Sequence, residues 1–140
     1  MIDKNFLKHK LICVESYYRE MERVLTFSDK EIKEDFIKLR ALERILQLIV
    51  DEIIDINNHI IRYKPLNLPA DFQSTFLILA ENKIIPEDFA KKIAPVVGLR
   101  NRLIHRYEKI DLDLLIQNIR KNKGDFKDYA KYIFHFLEKE

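Results

Sequence analysis

The sequence predicts an all-α protein: one helical bundle of about five or six helices, a single domain over residues 1–140. Three observations carry that expectation. Apolar residues recur at three- and four-residue steps from one end of the chain to the other, the spacing of a helix face. Two glycines and four prolines punctuate 140 residues, too few for the turns of a sandwich or barrel. No segment alternates with period two for long enough to make a strand.

The elements follow in order. Leu7, Leu11, Val14, Tyr18, Met21 and Leu25 form one helical face, which breaks at Thr26-Phe27-Ser28. Ser28, with Glu31 three residues on, carries a capping-box signature for a second helix. Its seam runs Leu39, Leu42, Leu46, Ile49, Ile53, Ile56, Ile60, Tyr63, without an internal glycine or proline. It ends before Pro65 and Pro69, because a residue preceding proline disfavours helical dihedrals. Asp71 is placed to cap a short helix closing near Asn82-Lys83. Pro86 then opens a helix, with Glu87 and Asp88 complementing its dipole, that runs to about His105 or Arg106. Pro95 conflicts with that run and predicts a kink or break. Asp111 caps the next helix, Gly124 interrupts, and Phe126 to Leu137 complete the chain.

Composition removes several classes of function. Gly98 and Gly124 have no glycine-rich context, which excludes a phosphate-cradling loop or a dinucleotide fold. The lone Cys13 excludes an internal disulfide and a cysteine-based zinc site, and is expected as a small buried hydrophobe. No apolar run is long enough to span a bilayer and the N-terminus is too polar for a signal peptide, so a cytoplasmic protein without membrane contact is expected. Basic and acidic residues nearly balance, 25 against 23, so nucleic-acid binding has to rest on local clustering. None of His9, His59, His105 or His135 follows a glutamate by three residues, which disfavours a metal site; no cofactor is expected.

The segment Gly98 to Tyr107 stands apart. The apolar seam Ala90, Ile93, Val97, Ile104, Tyr107 lacks one member, and position 100, an arginine, falls there. A guanidinium on a packed face is costly unless it is paired or used. Two readings stay open: a structural arginine bonded to a carboxylate such as Glu43 or Asp55, or a working residue. At about 100° per residue Arg100 and Tyr107 lie within about 20° of each other, whereas Arg100 and His105 diverge by about 140°. Two copies of the helix about a two-fold axis, or a helix that unwinds at His105, would bring such residues together; the expectation is the first, a homodimer with a shared site. The chemistry suits RNA. An arginine fork binds phosphate and stabilises a pentacoordinate transition state, while a histidine serves as acid or base without a metal. RNA supplies its own 2′-hydroxyl nucleophile. Asn101 can orient either group, and Arg102 and Arg106 add phosphate contacts, with Lys91 and Lys92 upstream.

Arg100-Asn101, a gap, His105 and then Tyr107 resemble the Arg-(four residues)-His-x-Tyr motif of HepT-like toxins in the HEPN superfamily. The likeness extends over roughly residues 7 to 138. Arg40-Ala41-Leu42-Glu43-Arg44 and Asp55-Ile56-x-x-His59-Ile60 resemble the family's long second helix, and Phe76-x-x-Leu79-Ala80-Glu81 with Ile84-Ile85-Pro86 its middle segment. The resemblance implies an all-α HEPN bundle that dimerises, with a ribonuclease site at the dimer interface. By the motif, Arg100 and His105 are catalytic and Asn101 accompanies the arginine. The implied partner is an MntA-like nucleotidyltransferase antitoxin that transfers AMP to Tyr107. The sequence departs from the family pattern in the glycine-free loop Tyr63 to Pro69, at Asn82-Lys83 where a glycine is common, and at Pro95-Val96-Val97. The alternative is a non-catalytic helical module that binds a nucleotidyltransferase or nucleotide. The intact set Arg100, Asn101, His105 and Tyr107 favours the ribonuclease.

Overall fold

A computed structural model describes residues 1–64, 66–105 and 110–140. Among the described residues there are eight helices and no strand: α1 (Lys4–Val24), α2 (Asp29–Glu34), α3 (Phe36–Tyr63), α4 (Ser74–Glu81), α5 (Glu87–Ile93), α6 (Val96–His105), α7 (Leu112–Asn122) and α8 (Gly124–Glu138). The all-α expectation holds, and eight helices replace the expected five or six because two long runs are each divided.

The first division is at Asp35. Its backbone is extended (φ −114°, ψ 106°), and its carboxylate accepts the Ile37 amide as the α3 cap. The Ser28–Glu31 capping box forms as the sequence implies, but it opens only the six-residue α2. An aspartate that caps more strongly than it propagates ends one helix and starts the next. The second division is at Pro95, where the expected break separates α5 from α6. Pro86 stands one place earlier than expected, at the N-cap rather than inside the first turn. Lys83 closes the turn after α4 at φ 60°, the left-handed conformation in which a family glycine would be unstrained.

α3 is the axis of the molecule. Ile49, Val50, Ile53, Ile54, Ile56, Ile60 and Ile61 are buried on nearly every side of it, each worth about 1.5–3 kcal/mol of apolar transfer. α1 packs along α3 and against α8, α4 against α3 and α5, α2 against α3 and α7, and α6 against α3. A polar network crosses this core. The fully buried Tyr129 donates its hydroxyl to Asn57 Oδ1 at 2.5 Å, and Asn57 Nδ2 donates to Thr75 Oγ1 at 3.0 Å. Thr75 Oγ1 in turn donates to the Phe72 carbonyl at 2.6 Å, so α8, α3 and α4 are registered by groups that all find partners. Arg120 locks α7 onto the α1–α2 turn through Asp29 and the Leu25 and Phe27 carbonyls.

Candidate functional site

α6 carries the residues singled out by the sequence. Val97 is buried and Leu99 and Leu103 are half-buried, which seats the helix on α3. Arg100 comes out at that seam. Its Nε donates to Asp51 Oδ1 at 2.9 Å, its Nη2 lies 2.8 Å from the same oxygen, and its Nη1 donates to Asn101 Oδ1 at 3.0 Å. A guanidinium has five N–H groups. Three are engaged by described residues, which leaves one on each terminal nitrogen without a partner among them, a pair suited to a phosphate. The arginine side chain is 19% exposed, so its charge acts in a partly dry setting where it is screened less than at an open surface.

The carboxylate partner is Asp51, neither Glu43 nor Asp55. Glu43 pairs with Arg40 at 2.8 Å, and Asp55 with Lys10 at 2.9 Å. These three acids lie along α3, and the start of α6 after Pro95 decides which one Arg100 meets. Asp51 is the residue that sequence reasoning missed, because nothing local distinguishes it from its two neighbours. Glu43 has only 7% of its surface exposed, and its Oε2 has no hydrogen-bond partner among the described residues. Burial pushes its carboxyl above the usual range, against the lowering effect of Arg40.

Asn101 and His105 are both exposed and one turn apart, on the side of α6 toward which Asn101 draws the guanidinium. Ile104, 38% exposed, stands between these polar residues. Arg102, about 200° around the helix from Arg100, lines a separate cleft against α7 and α8. Arg106 and Tyr107 lie outside the described residues. The structure therefore joins Arg100 to Asn101 and Asp51, leaves His105 exposed one turn from Asn101, and turns Arg102 the other way.

The remaining titratable groups have structural surroundings. His59 is stacked between the rings of Phe6 and Tyr63 and accepts the Asp3 amide at Nε2, 3.1 Å away. Cys13 is half-buried rather than buried, with its sulfur 3.8 Å from His9 Nε2. Among the described residues no three His, Cys, Asp or Glu side chains are grouped to hold a metal ion, and no helix is long and apolar enough to cross a membrane.

The fold and site define an all-α bundle with an arginine, an amide and a histidine on one helix. Residues 14–133 match the family described as Ribonuclease HepT-like, and the chain belongs to that family. It is 30% identical over 103 residues to the mRNA nuclease HepT of Shewanella oneidensis, covering 74% of this chain and 77% of that protein. It is also 30% identical over 137 residues to the tRNA nuclease HepT of Aphanizomenon flos-aquae, covering 97% and 92%. Among solved structures it is similar to the tri-AMPylated HEPN toxin of Shewanella oneidensis in complex with MNT antitoxin. That similarity has a TM-score of 0.87 and 25% identity, over 95% of this chain and 99% of that one.

Proposed function

We propose that this chain is the toxin of a toxin–antitoxin pair, a metal-independent endoribonuclease whose site is completed at a homodimer interface. The observation that carries the reading is the Arg100 guanidinium, held by Asp51 and Asn101 with two N–H groups unpartnered among the described residues, on the helix that also carries His105. A purely structural arginine at a helix seam would be expected to have its donors consumed by the protein. The family and the nuclease names of its relatives support the same reading.

In the proposed reaction the RNA 2′-oxygen attacks the adjacent phosphorus, forming a 2′,3′-cyclic phosphate as the bond to the 5′-oxygen breaks. Arg100 stabilises the charge that accumulates on the equatorial oxygens. A two-fold dimer supplies two copies of His105, one to take the 2′-hydroxyl proton and one to protonate the leaving 5′-oxygen. In this proposal the partner copy packs over Ile104, which is exposed among polar residues of α6. RNA phosphates flanking the cut would meet Arg102 and Arg106.

Silencing by AMP transfer to Tyr107 from a nucleotidyltransferase antitoxin belongs to the same proposal, supported by the AMPylated state and the antitoxin of the solved Shewanella complex. An adenylylated tyrosine two residues from His105 adds bulk and negative charge where substrate phosphate must lie. The test is cleavage of a labelled RNA by the purified chain in EDTA, with the cyclic phosphate product identified. Cleavage that stops on chelation, or that persists in the Arg100→Ala/His105→Ala double variant, overturns the chemistry. Co-expression with the nucleotidyltransferase should add AMP mass to the chain but not to Tyr107→Phe. Full inhibition of that variant would mean that binding alone silences the protein.

A further inference from the structure

Apart from Arg102 at its rim, the cleft on the other side of α6 has no part in the reaction above. It lies where the α5–α6 corner at Pro95 meets the α7–α8 corner at Lys123, and has a volume of about 150 Å³. Apolar side chains, Ile93, Leu99 and Phe126 among them, form part of its wall. Lys92 of α5, Arg102 of α6 and Lys123 at the corner add cations around it. Asn118 and Asn122, one turn apart on α7, line it together with Asp125 at the start of α8. Neither asparagine side chain has a hydrogen-bond partner among the described residues, nor does Arg102 at the rim. Asp125 is only 5% exposed, and Lys92 holds its Oδ1 at 3.0 Å.

Two unpaired amides and a buried carboxylate facing a partly apolar slot are the means by which a flat heterocycle is read on its edge. Size narrows the choice, since an apolar cavity of about 150 Å³ holds one benzene-sized ring. Charge narrows it further. An ionised carboxylate only accepts hydrogen bonds, so it favours a base that presents an exocyclic amine over one that presents a carbonyl there. The amides can donate to ring and carbonyl acceptors of the same edge. Arg102 lies about 60° around α6 from His105 and leads from the proposed cleavage face to the cleft, where its guanidinium can meet a phosphate.

We infer that this cleft is a nucleobase subsite that takes a cytosine of the bound RNA strand, its 4-amino group donating to Asp125 and its O2 and N3 accepting from Asn118 and Asn122. The placement beside a cleavage site rests on the ribonuclease reading; the affinity for the base does not.

The test is a titration of the ¹⁵N-labelled protein with cytidine, uridine and adenosine 5′-monophosphates, followed by amide shifts. CMP should move Leu99, Asn118, Asn122 and Phe126 and bind about tenfold more tightly than UMP or AMP. Asn118→Ala and Asn122→Ala, on exposed and half-buried positions, should each weaken CMP about five- to tenfold and leave the fold intact. Asp125→Asn places a donor and an acceptor where there was only an acceptor, and should erase the preference for CMP over UMP. CMP shifts confined to other surfaces, equal binding of AMP, or asparagine variants that bind like the parent would each overturn the inference. The titration needs no cleavage. An inactive nuclease that binds CMP in the cleft overturns only the ribonuclease reading, and an active nuclease with a silent cleft overturns only this one.

Discussion

Arg100→Ala and His105→Ala each delete one partner of the transition state proposed for RNA cleavage, and each should lower the single-turnover rate on the order of 10²–10³. Circular dichroism should show the helices unchanged, since His105 is exposed and Arg100 only half-buried. Asp51→Asn keeps an oxygen near the guanidinium but loses the charge that fixes its plane. It should cost about tenfold in rate with little change in substrate affinity, the mark of a residue that positions another. The placement of Arg100, Asn101 and His105 on α6 was legible because the three stand at fixed spacing within one helical run. Asp51 was not, because Glu43, Asp51 and Asp55 share α3 and the choice among them is made by the register of α6 against α3. Arg102 was legible as a cation, but its direction, toward α7 and α8 and away from Arg100, needed the rest of the bundle.

The divisions of the long runs were readable at this next scale to different degrees. Pro95 announces itself, because a missing N–H and a ring clash break a helix wherever they fall. Asp35 does not, since an aspartate inside a helical pattern is tolerated about as often as it caps, and the extended backbone there is decided by how α2 and α3 pack. Asp35→Ala should remove the α3 cap and cost about 1 kcal/mol in chemical denaturation. Lys83→Gly removes left-handed strain from the turn after α4 and should be neutral or stabilising by up to about 1 kcal/mol, despite the added freedom of the unfolded chain. The junction of α1 with the end of α3 has a pH dependence. His59 accepts the Asp3 amide at a nitrogen that must be unprotonated, and burial, with the N-terminal amine and Arg62, holds its pKa below the ordinary 6.5 against the pull of Asp3. The unfolded chain therefore binds this proton more readily. The contribution of His59 is complete above pH 6.5 and is lost as pH falls toward the lowered value. Thermal melts between pH 7.5 and 5.5 should show a decline that is shallower in His59→Phe.

Across the whole molecule, the proposed site faces outward from a bundle whose own core is complete, as a site shared between two copies requires. Ile104→Glu places a charge on that face and should both split the proposed dimer in light scattering and reduce cleavage. A variant that remains dimeric and active would remove Ile104 from the interface. The all-α class and most helix ends were legible because the apolar period persists along the chain. The polar network through Asn57, Thr75 and Tyr129 was not, since its members are distant in sequence and each resembles an ordinary helix residue. Asn57→Ala would leave the Tyr129 hydroxyl with only a 3.4 Å approach to the Ile53 carbonyl. It should cost about 1–3 kcal/mol, because a buried donor loses its best acceptor.

Tyr129 has one more consequence, an optical one. The chain contains no tryptophan, so its near-ultraviolet absorption belongs chiefly to six tyrosines. One of them is sealed in the core, where burial holds its phenol well above the ordinary value of 10. While the bundle stands, burial disfavours the phenolate of that ring. In an alkaline titration its colour change is a clock for the opening of the core, separate from the tyrosines at the surface, and it requires no label.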